Sequence, residues 1–445
     1  MQNLKVAVEN LINFLKVDIW KIPLDDLSRT KSFFIKQVRV VLLASRGFDE
    51  DKCLLRASAL TFYSLLSIVP VAALAFGIAK GFGFEKLLEK EMLKQFAGQE
   101  EVIIRVINYA RSLLENTQGG VVAGVGIAAL FWTVIKVLGN IEASFNDIWG
   151  VKEPRTFARK LSDYLSVMLL CPILLIMSSS ITVFVSTQIV LITEKIALLG
   201  ILSPIIYFAL KLLPYCVIWI LFTFIYIFMP NIKVVFRSAL LAGIVAGTIY
   251  EIVQLLYINF QVGVAKYNAI YGSFAALPLF LIWLQLSWLI VLYGAEISFA
   301  HQNVDTYEHE PDSLQISVHF KKLLSLEIAH LIIVNFSKGA EPLTASQVSH
   351  TLGIPIRLVR QIIYELVESR VISETKTEEL KESAYQPARD INRLSIQYII
   401  EELEKNGADN IPVMRTKELE VLSETLQSFG NTIRNSPSNK LLKDI

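Results

Sequence analysis

Between about residues 57 and 300 the chain alternates long, continuous apolar runs with short polar breaks, and polar residues dominate on either side. A helix needs about 20 mainly apolar residues to cross a hydrocarbon core. Six runs reach that length: about 57–82, 119–140, 164–192, 204–229, 237–260 and 272–300. Barrel strands alternate apolar and polar positions in short segments, whereas these runs stay apolar over more than twenty residues. In lipid the backbone must satisfy its own hydrogen bonds, so runs of this kind are helical. The pattern predicts six transmembrane helices.

The polar ends carry patterns of their own. Ahead of the first run, KSFFIKQVRVVLLASRGF places Phe33, Phe34, Val38, Val41 and Leu42 on one broad face. Lys31, Lys36, Arg39 and Arg46 remain for headgroups, as in a helix lying on the inner leaflet. After about residue 304, Phe320, Leu323, Leu324, Ile328, Leu331 and Ile332 recur at helical spacing. Thr344 with Gln347 then reads as a capping box, Gly353 as a helix stop, and IPIRLVRQIIYELVESRVI as a second helix. The expected fold class is an all-α polytopic membrane protein, a six-helix transmembrane bundle with a small winged-helix-like (α+β) cytoplasmic domain. Its parts are 1–56 (interfacial helices), 57–303 (transmembrane domain), 304–410 (winged-helix-like domain) and 411–445 (a polar, partly disordered tail).

Composition agrees with this picture. Of 445 residues, 53% are hydrophobic and 19% charged, more apolar than a soluble chain of this size sustains at its surface. Basic residues cluster before the first run (Arg39, Arg46, Lys52, Arg56), between the second and third (Lys152, Arg155, Arg159, Lys160) and between the fourth and fifth (Lys233, Arg237). By the positive-inside rule both termini are cytoplasmic. The segment 83–118, read as a loop, holds five basic residues offset by six Glu and departs from that bias. The N-terminus has no apolar core followed by a cleavage site, so no signal peptide is predicted. Cys53, Cys171 and Cys216 form no CxxC motif and read as packing residues.

Polar groups at bilayer depth are costly and tend to face a bundle interior. Glu251 stands mid-run, with Gly243, Gly247, Gln254 and Gln261 near the same helical face. The glycines permit close helix approach and the amides extend the polar line. Glu251, Gln254 and Gln261, completed by Lys136 and Asn140 of the second run, form the candidate polar seam. A structural reading, with Glu251 a protonated acid bonded to a neighbour, stands beside the transport reading. Glu142, Asn146, Asp147 and Trp149 read as a network at the cytoplasmic interface, Trp149 as its anchor. Pro70 and Pro278 read as helix kinks.

No catalytic constellation is expected. His301, His309, His319, His330 and His350 show no ligand spacing, no Walker A loop is present, and no nucleophile motif occurs. Neither a metal nor a cofactor is expected.

Two resemblances follow from the motifs. The 344–405 region, with YQPARD entering a helix, resembles winged-helix domains, most closely those of iron–sulfur-sensing bacterial repressors. This segment contains no cysteine, so their cluster chemistry does not carry over. Arg357 and Arg360 sit where a recognition helix would contact DNA, but Glu365, Glu368 and the acidic 374–382 stretch oppose phosphate binding, and nucleic acid is not expected as a partner. RASALTFYSLLSIVP at 56–70, FNDIWGVKEPR at 145–155 and YGSFAALPLFLIWLQLSWLIVLYGAEI at 271–297 resemble the YihY/BrkB family of inner-membrane proteins. That resemblance implies six transmembrane helices, a bacterial plasma-membrane location, and transport or lipid export as the usual suggestion. The family has also carried a ribonuclease label, against which the missing ligand clusters argue. The leading expectation is a non-enzymatic transporter or lipid-handling protein without its own ATPase, with membrane lipids as partners. The alternative is a membrane scaffold or signalling protein that docks a cytoplasmic protein, or a second copy, through its C-terminal domain.

Overall fold

The computed structural model describes Ile19 and residues 28–95, 100–116, 120–152, 155–166, 203–265, 276–304, 316–376, 383–407 and 416–445. The chain divides into two units. One, the helical unit, comprises Phe33–Ile148 and Glu153–Gln302; the other comprises Met1–Ser32, Trp149–Lys152 and Asn303–Ile445.

The helical unit is built from α1 (Arg29–Glu50), α2 (Cys53–Gly81), α3 (Glu85–Gln95), α4 (Glu100–Asn116), α5 (Gly120–Ile148), α6 (Ser203–Phe228), α7 (Phe236–Ala265) and α8 (Ala276–Asn303). Residues 157–166 are also helical. Among the described residues, four stretches are long and apolar enough to cross a membrane: Cys53–Gly81, Ala128–Ile148, Phe236–Phe260 and Leu277–Asn303. They match the first, second, fifth and sixth apolar runs, and α6 takes up the fourth. The third run, apart from its first residues, lies outside the described residues.

α1 is helical as the pattern predicts, and Phe33, Phe34, Val38 and Val41 are exposed on it. The opposite face (Arg39, Val40, Leu43, Ala44, Gly47) is buried. Arg39, expected among the headgroup-facing bases, is instead enclosed, buried with Val40 and Leu43 on the packed side of α1. Only Asp51 and Lys52 separate α1 from α2, and Lys52 turns the chain in a left-handed conformation at φ 53°. α2 continues through Pro70, whereas Pro278 stands in the first turn of α8, where a missing N–H costs no intrahelical bond.

The segment read as a loop at 83–118 contains α3 and α4, which pack on α2 through Phe76, Leu88, Ile103 and Ile107. Arg111 joins the two helices, 3.0 Å from Glu85 and 2.5 Å from Glu89, with its guanidinium over Phe76. With Arg105–Glu101, these pairs engage both arginines and three of the glutamates of that stretch.

α6 and α7 form the most extensive helix pair. The reason is local: a Cβ on Gly243 would lie 2.8 Å from the Trp219 carbonyl oxygen, and one on Gly247 would lie 2.7 Å from the Trp219 ring. Only glycine lets the two backbones come this close.

The second unit holds α9 (Val318–Ser337), β1 (Leu343–Thr344), α10 (Ala345–Leu352), α11 (Ile356–Glu368), β2 (Ile372–Lys376), β3 (Ser383–Pro387), α12 (Ile396–Glu404) and α13 (Lys417–Arg434). The antiparallel sheet has the order β1-β3-β2, with Tyr385 opposite both Leu343 and Glu374. The capping box at Thr344 is present in both directions, and Gly353 closes α10 at φ 64°. Leu324, Ile328 and Ile332 enter the core as their spacing predicts, together with Val359, Ile362, Leu366 and Ile399. Phe320 and Leu323 remain exposed: Phe320 lies one turn before buried Leu324, and Leu323 lies on the uncovered side of α9.

Within the tail expected to be polar and partly disordered, the described residues 416–445 are folded: Thr416 caps α13, and Leu441 bridges to Ser395. Leu442 lies in the core, its N–H donating to the Leu394 carbonyl at 3.0 Å and its carbonyl 2.6 Å from Nδ1 of His330. A single docked leucine leaves no periodic trace in a sequence, which is why the pattern missed it.

Candidate functional site

The polar residues of the helical unit gather in three places. The first is the end of α5 and the segment after it. Glu142 and Asn146, one turn apart, both point inward, and Asn146 Nδ2 donates to Glu142 at 3.4 Å. Arg155 returns to them from beyond the helix end, with its side chain 0% exposed and that of Glu142 1% exposed. Its Nη1 lies 3.5 Å from Glu142 and its Nε 3.4 Å from Asp163. Nη2 donates to the carbonyls of Phe228 (2.5 Å) and Pro230 (3.2 Å), and the guanidinium lies over the Phe228 ring. Tyr164 donates to Glu142 at 2.5 Å, and the Asn231 N–H donates to the Asn146 side-chain carbonyl at 2.7 Å. Two buried carboxyl-bearing segments and the turn after α6 are thus tied to one arginine.

A buried charge needs partners: Arg155 has two carboxylates at 3.4–3.5 Å and two carbonyls bonded to Nη2, while its Nε and Nη1 make no hydrogen bond among the described residues. The cluster therefore fixes geometry. It draws Glu142 and Asn146 of the expected interfacial network into the interior and leaves the other two members elsewhere. Asp147 is exposed and pairs with Arg56 at the start of α2. Trp149 belongs to the second unit, is 1% exposed, and accepts a hydrogen bond from Arg360 of α11 on its carbonyl. A side chain enclosed to this degree is a core residue and not the interfacial anchor expected of it.

The second place is a ladder of polar contacts between α2 and α8. Thr61 donates to the Gln285 carbonyl oxygen at 2.9 Å, Gln285 donates onward to Ser58 at 3.1 Å, and the Trp288 indole donates to Ser64 at 3.0 Å. The signal that could have found the ladder is the repeat Ser58, Thr61, Ser64 at three-residue spacing, which lines small hydroxyls along one side of a membrane helix. Nearby, a Cβ on Gly47 of α1 would lie 3.0 Å from the Glu296 carboxyl carbon of α8, and Cys53 donates to the same carboxylate at 3.5 Å. Glu296 is 1% exposed.

The third place is the predicted seam on α7. Glu251 is half-buried, and among the described residues its carboxylate makes no hydrogen bond or ion pair. Gln254 is half-buried one turn on; Gln261 lies in α7, with its side chain outside the described residues. Lys136 is exposed on α5, its ammonium 5.7 Å from the centre of the Trp132 ring. Asn140 is half-buried and its carbonyl accepts from Ser144 at 3.0 Å. Among the described residues, Lys136 and Asn140 of α5 make no hydrogen bond or ion pair with α7.

The comparisons with known proteins agree with the helical unit. The sequence model of the family described as Virulence factor BrkB matches residues 44–316. A UPF0761 membrane protein of Paraburkholderia xenovorans is 29% identical over 265 residues, covering 59% of each chain. One from Alkalilimnicola ehrlichii is 31% identical, covering 60% of this chain and 59% of its own. One from Halorhodospira halophila is 32% identical, covering 58% and 57%. The chain thus spans about three-fifths of the length of the curated relatives it matches. No solved structure matches. The matched region takes in the α2–α8 ladder, the Arg155 cluster and the whole of α7, and by that match the chain belongs to the BrkB family of membrane proteins.

Proposed function

We propose that this protein is a transporter or lipid-handling protein of the bacterial inner membrane, without an ATPase of its own and without enzymatic chemistry. In this reading the helical unit is a six-helix bundle with both termini cytoplasmic, and the third apolar run supplies the remaining span. The observation that carries it is Glu251: a half-buried carboxylate on an apolar membrane helix, with no partner among the described residues. A carboxylate kept at membrane depth without a structural partner is placed to meet a solute, a proton or a headgroup. Gln254 and Gln261 on α7 would extend its reach, and Lys136 and Asn140 would act at a separate point of the path.

Native mass spectrometry from mild detergent tests this reading by comparing the wild type with Glu251→Gln and Lys136→Ala. A lipid retained at fixed stoichiometry and lost in Glu251→Gln supports lipid handling through α7. Retention unchanged in both variants removes lipid from the seam, and uptake of solute by proteoliposomes then decides between solute transport and a structural Glu251.

A second reading rests on the other unit. Its element order and β1-β3-β2 sheet support a winged-helix module, and Arg360 of its second helix is already engaged by the Trp149 carbonyl. An arginine spent on its own chain favours a protein-docking role over DNA contact, and a scaffold function would follow from that.

A further inference from the structure

We infer that α13 pairs antiparallel with α13 of a second copy of this chain. Leu419, Leu422, Leu426, Phe429 and Ile433 recur at spacings of three, four, three and four residues, the seam of a two-stranded coiled coil. All five are between 43% and 68% exposed, and no residue of α13 is buried within the chain. The positions beside the seam are small and uncharged (Ser423, Thr425, Thr432), which lets a second helix come close. One flank of α13 is anchored: Arg434 donates to Glu401 of α12 at 2.5 Å, and a Cβ on Gly430 would lie 3.7 Å from the same carboxylate. The apolar stripe stays exposed beside that anchor.

Charge decides the occupant and the direction. Glu418, Glu420 and Glu424 crowd the first half of α13, while Arg434 stands in its last turn. An anionic lipid surface would repel that acidic half, and helices that lie on such surfaces carry Lys and Arg on their polar face. A parallel copy would bring the two acidic halves together. An antiparallel copy sets them at opposite ends and opposes the two helix dipoles. The seam spans only about 21 Å at 1.5 Å per residue, so the pairing draws on the high effective concentration of two chains confined to one membrane.

The test uses the full-length protein in native membrane vesicles. Wild type is expected to cross-link as a dimer, with Leu426→Glu and Phe429→Glu each lowering the dimer yield at least about tenfold and Lys417→Ala leaving it unchanged. Both Glu variants change exposed positions, so an unaltered melting temperature separates lost pairing from lost folding. For direction, Leu422→Cys protein mixed with Ile433→Cys protein should form the mixed disulfide above the background of the native cysteines. A monomeric wild type, or a dimer insensitive to both Glu substitutions, overturns the proposal. Leu422→Cys disulfides forming with themselves in place of the mixed species overturn the antiparallel sense.

Discussion

Arg155 and Glu142 face each other at 3.5 Å inside the helical unit, with side chains 0% and 1% exposed. Removing one member of such a pair strands the other as a buried charge, at a cost of about 3–5 kcal/mol. Arg155→Ala is expected to lose that much in thermal unfolding of the detergent-solubilised protein. The double variant Arg155→Met with Glu142→Leu should lose less than the two single changes added together. Additive losses would show that the two side chains act separately.

The glycines of α7 make a steric prediction. Gly243→Leu drives a side chain into the Trp219 carbonyl and the Thr223 backbone of α6. Overpacking of this kind costs about 1–3 kcal/mol, and more where backbone must move. A melting temperature equal to wild type would place the close α6–α7 approach in doubt.

The α2–α8 ladder should be worth less than its length suggests. Hydrogen bonds between membrane helices average about 0.6 kcal/mol in double-mutant cycles. Gln285→Leu is therefore expected to lower stability only slightly. A larger loss of transport activity than of stability in that variant would assign the ladder a functional role.

Leu442→Ala removes a core side chain from the second unit and should cost about 2–5 kcal/mol, read as a lower melting transition for that unit. This residue marks the limit of what pattern reading reaches. Thr344, Gln347 and Gly353 were legible because capping is decided within a few residues, and Gly243 with Gly247 because close packing has a spacing. Arg155 was read only as a loop charge, since its partners Glu142, Asp163 and the Phe228 carbonyl come from three separate stretches. Arg39 was misplaced for a related reason: a charge near a membrane end is assigned to water unless the packing around it is known. Glu251 was legible because a lone acid in an apolar run is conspicuous.

The α12–α13 link has a pH dependence. Burial works against ionisation of Glu401, but hydrogen bonds from Gln397 and Arg434 outweigh it and hold its pKa below the ordinary 4.5. A depressed folded-state pKa means the stabilising contribution is complete above 4.5 and is lost as pH falls through the lowered value. Spin labels on α12 and α13 should report a fixed distance down to mildly acidic pH and a broadened one below it. Glu401→Gln should flatten that response.

The two-residue joint at Asp51 and Lys52 leaves α1 and α2 no slack. Arg56 tightens it by reaching back to the Asp51 carbonyl at 2.8 Å and onward to Asp147 at the end of α5. If α1 lies on the leaflet as its sequence pattern predicts, a force on the exposed Phe33–Val41 face would act as torque on α2 and, through the Ser58–Gln285–Thr61 contacts, on α8. In that reading α1 is the handle of a lever whose working arm is α2.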